Sequence, residues 1–196
     1  MEGIVRKGIH IHLAGFVAVF VLTTTVGAQK AKSTGHFRVT SPDLESRGRI
    51  AMTHVFNGMG CTGQNISPTL QWTNAPAGTR SFAVTAYDPD APTGSGWWHW
   101  VVYNIPASTT ALAAGAGNSN GRSLPSGAAQ GNTDFGSRGY GGPCPPPGKP
   151  HHYHFTVFAL KVDKLDVPNN ATAAYVGFNL NANKLATARI TGLYGR

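Results

Sequence analysis

Two short stretches that lie far apart in the chain combine stiff backbone with side chains that can bind an anion. The first is Asp88-Pro89-Asp90-Ala91-Pro92, which is followed by Trp97-Trp98-His99-Trp100. The second covers residues 139–148, which are rich in glycine and proline, and leads into His151-His152-Tyr153. Proline fixes the backbone, and successive glycine amides can turn toward a bound anion. If the fold brings the two stretches together, they form a small polar pocket with stiff walls.

The first stretch offers carboxylates beside a histidine. Because prolines follow both Asp88 and Asp90 closely, the backbone leaves the two carboxylates little conformational freedom. A hairpin of the strands on either side would bring Asp88 within reach of His99, whose tautomer it would then set. Period-2 alternation places His99 on one strand face with Val101 and Tyr103. The alternatives are an Asp-Pro turn whose carboxylates cap local amides, and a histidine packed in the core.

The histidines after the second stretch divide between the two faces of a strand. Alternation puts His151 and Tyr153 on one face and His152 and His154 on the other. His152 and His154 have the spacing of a zinc-binding pair, but no Cys, Asp or Glu completes such a site. We therefore expect no metal and no cofactor, and we expect these two histidines at the rim of the pocket or in solvent.

A hydrolase that uses His99 and Asp88 is a weaker alternative, because nucleophilic catalysis needs an activated Ser or Cys within reach of the base. Ser95 and Ser137 lie near the two stretches, but neither stands in a Gly-x-Ser-x-Gly turn between a strand and a helix. Cys144 is expected to be oxidised. The sequence therefore favours a binding protein that is not an enzyme.

Strand patterns dominate the elements that must position these residues. Alternating or β-branched runs bounded by Pro or Gly predict strands at residues 37–40, 50–56, 70–73, 80–87, 97–105 and 153–162. A helix capped by Asn169 or Asn170 is predicted over about 171–184, and a last strand over 185–193. Residues 106–150 predict a long loop region with little regular structure. The predicted fold is mainly β: an antiparallel β-sandwich with one or two small C-terminal helices.

Residues 1–28 have the pattern of a cleaved signal peptide. Arg6 and Lys7 precede an apolar run over residues 13–22, and Val26-Gly27-Ala28 offers small residues for cleavage. The apolar run is too short to cross a bilayer, so an uncleaved membrane anchor is the lesser alternative. We expect residues 29–196 to form a single domain that is periplasmic or secreted, with no transmembrane anchor.

Charge and cysteine content narrow the partners and the compartment. The formal net charge is +8 at pH 7, but the chain has no Lys/Arg-rich run and no interleaved Arg and aromatic residues. This indicates attraction to anions, and no nucleic-acid partner is expected. The two cysteines, Cys61 and Cys144, predict a disulfide in an oxidising compartment. Two separate buried thiols are the alternative.

Together these motifs resemble the phosphatidylethanolamine-binding protein family, also called the Raf kinase inhibitor proteins, and in particular its bacterial secreted branch. The likeness covers about residues 37–194 and includes Asn65-Ile66-Ser67-Pro68, the Asp88–Pro92 box and the Gly-Tyr-Gly-Gly-Pro loop. The family implies a β-sandwich with a small pocket that accepts phosphate, acetate or a phospholipid headgroup. By the same resemblance, the ligand-binding residues are Asp88, Asp90, His99, Gly142, Pro143, His151 and Tyr153.

The resemblance implies a binding module whose partner is a small anion, such as phosphate, a carboxylate or a phospho-headgroup. The chain departs from the eukaryotic pattern at Trp98, where a second histidine is common, and at Cys144 within the proline-rich loop. A protein partner of the kinase or protease kind is left open. The alternative function is inhibition of a protease or a signalling protein, with residues 106–150 docking on that partner.

Overall fold

The structure is a computed structural model, which describes residues 1–3 and 35–196. The signal peptide predicted over residues 1–28 therefore lies outside the described residues, apart from its first three. Backbone contacts divide the chain into residues 1–31 and residues 32–196. Every strand and helix of the described residues lies in the second unit. Within the described ranges, no helix is long and apolar enough to cross a membrane.

The larger sheet is antiparallel and has five strands. These are β5 (Ser81–Asp88), β6 (Trp97–Pro106), β8 (Ala129–Gln130), β9 (His151–Leu160) and β10 (Lys184–Tyr194). They are hydrogen-bonded in the order β10-β9-β5-β6-β8, so β5 lies between β6 and β9. Because these neighbours are antiparallel, the last residues of β5 and the first residues of β6 and β9 lie together at one end of the strands.

A smaller sheet completes the sandwich. It contains β1 (Arg38–Thr40), β4 (Leu70–Thr73) and β7 (Ala111–Leu112), in the order β1-β4-β7, while β2 (Asn57–Gly58) and β3 (Cys61–Thr62) form a separate hairpin. The main core lies between the two sheets and includes Trp72, Trp100 and Phe155. The predicted fold class, an antiparallel β-sandwich, is confirmed.

The second face of the larger sheet is covered by the helix α1 (Ala173–Asn183), the one α-helix among the described residues. Val176 and Leu180 of α1 are fully buried in a second cluster with Val101. Burial on both faces explains why the central strands are nearly continuous apolar runs. The predicted helix is confirmed, but its cap is Thr172, whose side chain accepts a hydrogen bond from Tyr175 N, and not Asn169 or Asn170.

The strand predicted over residues 50–56 is wrong. Residues Met52–His54 form a short 3-10 helix instead. The backbone of this segment is hydrogen-bonded to a neighbouring loop. The carbonyls of Met52, Thr53 and Val55 accept hydrogen bonds from the amides of residues 64–66. Ile50, His54 and Val55 are the buried positions, so burial does not alternate as it would along a half-buried strand.

Residues 106–150 have little regular structure, as predicted, because β7 and β8 contribute two residues each. The segment nevertheless packs against the sandwich. Gln130 accepts a hydrogen bond from Trp100 Nε1 at 2.8 Å, and the Tyr140 hydroxyl donates to the His54 carbonyl at 2.9 Å. Residues 106–150 are therefore a packed part of the domain and not a free loop.

Candidate functional site

A cavity opens where β5 ends and where β6 and β9 begin. Its volume is about 170 Å³. Its polar side chains come from these three strands and the connection after β5, and its apolar side chains come mainly from three loops. The lining residues are Met59, Asp88, Ala91, Pro92, Thr93, Trp97, His99, Phe135, Cys144, Pro145, Pro146, His151 and Tyr153. The structure thus brings the two sequence stretches together around one cavity.

Asp88 and His151 form a hydrogen-bonded pair in the cavity wall. The Nδ1 atom of His151 lies 2.7 Å from Oδ2 of Asp88, and Asp88 is only 3% exposed. The other carboxylate oxygen, Oδ1, accepts a hydrogen bond from the backbone N–H of Asp90 at 2.8 Å. Because the carboxylate accepts at Nδ1, Nε2 of His151 is the ring nitrogen left for a ligand. The sequence predicted His99 as the partner of Asp88, and this pairing is wrong.

His99 is oriented by backbone instead. Its Nδ1 lies 2.6 Å from the carbonyl oxygen of Gly141. A carbonyl can only accept, so Nδ1 carries the proton and Nε2 of the neutral ring has a lone pair. The ring packs edge-on against Tyr153 and Phe135, with centroids 5.1 and 5.4 Å away. Burial lowers the pKa of His99 to about 4, although the Gly141 carbonyl and the charge of Asp88 oppose that shift.

A register shift in β6 accounts for the position of His99. Ala86 pairs with Trp100 and Tyr87 pairs with Trp98, so His99 is an extra residue between two neighbouring pairs, as in a β-bulge. Beyond the shift, Val101 and Tyr103 lie under α1, whereas His99 contacts Tyr153 on the main-core side. The predicted shared face of His99, Val101 and Tyr103 is therefore wrong.

Tyr153 supplies a hydroxyl to the same cavity. The side chain is 1% exposed, and its hydroxyl makes no hydrogen bond of good geometry with the described residues but interacts with the carboxylate of Asp88. Burial raises the pKa of Tyr153, and the nearby charge of Asp88 raises it further. The hydroxyl therefore remains protonated and can donate to a ligand.

Asp90 lies outside the cavity and lines an adjoining groove. Its Oδ2 accepts hydrogen bonds from both the backbone N–H and Nδ1 of His152, each at 2.7 Å. Partial burial raises the pKa of Asp90, but the hydrogen bonds from His152 outweigh it and the net shift is downward.

His154 bonds Thr191 Oγ1 at 2.9 Å. The described residues contain no group of three or more His, Cys, Asp or Glu that could hold a metal ion.

Gly142 and Pro143 do not line the cavity. The amide of Gly142 donates to Asn65 Oδ1 at 2.7 Å, and the carbonyl of Pro143 accepts from Phe56 N at 3.0 Å. A Cβ atom at position 142 would lie 2.1 Å from the His54 carbonyl oxygen, so glycine is needed for close packing. The expectation that backbone near Gly142 faces the ligand is therefore not met, and the residue supports the cavity from behind.

The structure adds residues that sequence reasoning missed. Asn65 bridges the loop by accepting from Gly142 N and donating to the Tyr140 carbonyl at 3.1 Å. Its φ of 55° is a backbone state that asparagine tolerates better than most residues, yet nothing in the sequence marks its partner. Phe135 closes one side of the cavity and packs on Phe56 and Trp97.

A disulfide braces the wall of the cavity. Cys61 of β3 is bonded to Cys144, with the two Cα atoms 6.0 Å apart and a sequence separation of 83. Cys144, Pro145 and Pro146 all line the cavity. The predicted Cys61–Cys144 bridge is thus present.

The arrangement matches a known family. The sequence model described as phosphatidylethanolamine-binding protein matches residues 40–195. The chain belongs to the phosphatidylethanolamine-binding protein family. Its relatives in Escherichia coli K12 include two UPF0098 proteins: YbcL, 54% identical over 91% of this chain and 96% of YbcL, and YbhB, 52% identical over 80% of this chain and 99% of YbhB.

Solved structures of family members share the fold. The crystal structure of E. coli YbcL, described as a new member of the mammalian PEBP family, superposes with a TM-score of 0.81 at 56% identity, covering 83% of this chain and 99% of YbcL. A homologue from Chlamydia trachomatis, CT736, gives a TM-score of 0.68 at 29% identity over 82% of this chain and 97% of its own. The family resemblance predicted from the motifs is confirmed.

Proposed function

We propose that this protein binds a small oxyanion, such as phosphate, a carboxylate or a phospho-headgroup, in the cavity at the end of β5. The observation that carries this proposal is the convergence of His99, His151 and the buried Tyr153 hydroxyl on one cavity. Each histidine has its Nδ1 held by the protein, so each presents Nε2 to a ligand. Such convergent polar groups in a small concave site are typical of ligand recognition.

The size of the cavity supports a small ligand. Its volume of about 170 Å³ is below the range of about 300–1,000 Å³ that is typical of pockets for drug-sized ligands. This accommodates a phosphate or a short headgroup, but not the acyl chains of a phospholipid. A lipid would therefore bind by its headgroup alone, with its chains outside the cavity.

The cavity favours binding over nucleophilic catalysis. No serine lies among its lining residues, and the sulfur of Cys144 is held in the disulfide. The hydroxyl of Thr93 donates to the Gly96 carbonyl. Since hydrolysis through a covalent intermediate needs an activated nucleophile, we infer a binding module without enzymatic activity of this kind. The disulfide also favours export from the cytoplasm, because such bonds persist in oxidising compartments.

Isothermal titration calorimetry of ligand-free protein with inorganic phosphate tests this function. We expect saturable binding by the wild type and loss of binding in the His99→Ala plus His151→Ala double variant. His154→Ala is the matched control, because His154 contacts Thr191 and does not line the cavity. If the double variant fails to fold, the single His151→Gln variant replaces it and should bind at least tenfold more weakly. Equal binding by wild type and pocket variants would contradict the proposal.

A further inference from the structure

The wall of the cavity lacks the positive charge that an anion site ordinarily has. None of its lining residues is Lys or Arg. Its titratable groups are one carboxylate, two histidines and one tyrosine, namely Asp88, His99, His151 and Tyr153. The remaining wall is largely apolar, so it screens charge poorly. A fully ionised ligand entering this cavity would face the carboxylate of Asp88 without a permanent counter-charge.

The two histidines do not remove this difficulty by themselves. His151 donates from Nδ1 to Asp88, so even a protonated ring would only neutralise its own partner. His99 donates from Nδ1 to the Gly141 carbonyl, and its Nε2 then offers a lone pair. A lone pair repels an anionic oxygen, whereas it accepts a hydrogen bond from a protonated one.

The polar groups around His99 favour a proton on its ring, against the effect of burial. Asp88 faces it from β5, and Tyr153 and His151 face it from β9. Asp134, whose carboxylate accepts from Trp98 N at 2.7 Å, acts on it from the turn after β8. The carbonyls of Gly141 and Gly142 complete the surroundings. Both carboxylates and both carbonyls raise the pKa of His99, while burial lowers it further than they raise it.

We propose that the cavity takes up its oxyanion together with one proton, which lies between His99 Nε2 and a ligand oxygen. This inference rests on the proposed function and deepens it, because it makes the bound species an acid–imidazole complex and not a bare anion. The proton comes from solvent when the ligand has none to give. It comes with the ligand when the ligand is a monoprotonated phosphate or phosphomonoester. No covalent bond forms or breaks other than the one to this proton.

Sulfate is tetrahedral like phosphate but does not titrate near neutral pH, so it brings no proton of its own. Any proton taken up when sulfate binds must therefore come from solvent. We expect the sulfate affinity of the wild type to rise about tenfold for each pH unit between pH 7.5 and 5.5, as uptake of one proton requires. Inorganic phosphate at pH 8 is mostly monoprotonated and supplies this proton itself, so its binding enthalpy should not change with the ionisation enthalpy of the buffer. Glycerophosphoethanolamine, a lipid headgroup without acyl chains, serves as the third probe and should show the pH dependence of sulfate.

Two matched variants show which histidine takes up the proton. His99→Gln cannot titrate at position 99 and should bind sulfate with an affinity that no longer rises toward acid. His151→Gln should bind more weakly but keep the slope with pH. If His99→Gln does not fold, ¹⁵N NMR of the wild type replaces it, and Nε2 of His99 should become protonated when sulfate is added at pH 6.

The outcomes are distinguishable. A sulfate affinity independent of pH, or a phosphate enthalpy at pH 8 that varies with the buffer, would overturn the proton linkage as proposed and leave anion binding intact. Loss of the slope in His151→Gln but not in His99→Gln would move the proton to the other ring and overturn the assignment. Failure of all three probes to bind at any pH would contradict the proposed function itself.

Discussion

At the scale of single residues, the partner of Nδ1 decides what each histidine can do. His151 is held by the carboxylate of Asp88, and His99 is held by the carbonyl of Gly141. His152, one position further along β9, is held by Asp90 on the outside of the protein. Three histidines near the beginnings of two strands therefore have three different surroundings, and two of them line the cavity.

The neutrality of His99 predicts a pH-dependent stability. Its pKa in the folded protein is about 4, below the unfolded value of about 6.5. The unfolded chain therefore binds the proton first as the pH falls, so the contribution of His99 is present above pH 6.5 and is lost on the way down to pH 4. In anion-free buffer, the free energy of unfolding should fall by about 3 kcal/mol from this group alone.

Chemical denaturation of wild type and His99→Gln at pH 7 and pH 4.5 measures this contribution. The wild type should lose more stability than the variant, because the other titrating groups are common to both proteins. The same loss in both would contradict the assignment of a neutral buried His99.

At the scale of elements, the antiparallel order β6-β5-β9 is what gathers the site. The sequence was sufficient to identify these strands, and with them Asp88, His99, His151 and Tyr153. It was not sufficient to pair Asp88 with the correct histidine, because the pairing depends on the register shift at His99. A run of aromatic residues packs well on either face and therefore does not show where an extra residue interrupts the ladder.

Loop residues were harder to predict than strand residues for a related reason. Asn65 and Phe135 act through contacts with segments far away in sequence, namely Gly142 and Trp97. The strand predicted over residues 50–56 failed for the same reason, since its carbonyls bond to residues 64–66 and not to a neighbouring strand. The pattern of neighbouring residues predicts a contact only when both partners lie close together in the sequence.

Two glycine-to-alanine substitutions should have opposite effects on stability. Gly142→Ala should cost about 1–3 kcal/mol, because the new Cβ would overlap the His54 carbonyl and the backbone would have to move. Gly177→Ala in α1 should be nearly neutral or stabilising, since alanine favours helix by about 1 kcal/mol and the new Cβ lies 3.3 Å from the far edge of Trp98. Thermal unfolding compares them, and a larger loss at position 177 would contradict this packing.

The disulfide predicts a large loss of stability on removal. It closes a loop with a sequence separation of 83, for which chain entropy gives about 4.5 kcal/mol. Cys61→Ala plus Cys144→Ala should therefore lower the free energy of unfolding by several kcal/mol in urea titrations. Wild-type protein reduced before unfolding is the control and should approach the double variant. A loss below about 1 kcal/mol would show that the bridge does not constrain the unfolded chain as that entropy model requires.

At the scale of the whole molecule, a basic sandwich with a braced cavity is combined with a predicted signal peptide. The net charge of +8 concentrates anions near the surface without selecting among them. In our proposal the cavity selects the ligand, through the position of its polar groups and the proton at His99. Family membership identifies the fold and places this protein beside YbcL and YbhB.

The predicted signal peptide gives a test at this scale. Expressed in full in a Gram-negative host, the chain should be recovered from the periplasm with Gln29 at its amino terminus, because Val26-Gly27-Ala28 provides the small residues before the cut. Replacing Ala28 with a bulky residue should retain the precursor. Mass spectrometry of the periplasmic and cytoplasmic fractions measures both. A full-length chain confined to the cytoplasm would contradict the prediction.

We propose that one oxyanion occupies the cavity between His99, His151 and Tyr153. Anomalous diffraction from crystals of ligand-free protein soaked in selenate at pH 5.5 tests it most directly, because selenium marks the position of a tetrahedral oxyanion. We expect one strong selenium peak in the cavity, with oxygens within hydrogen-bond distance of Nε2 of His99 and of the Tyr153 hydroxyl. An empty cavity, with selenate only in the outer groove beside Lys149 and His152, would contradict it.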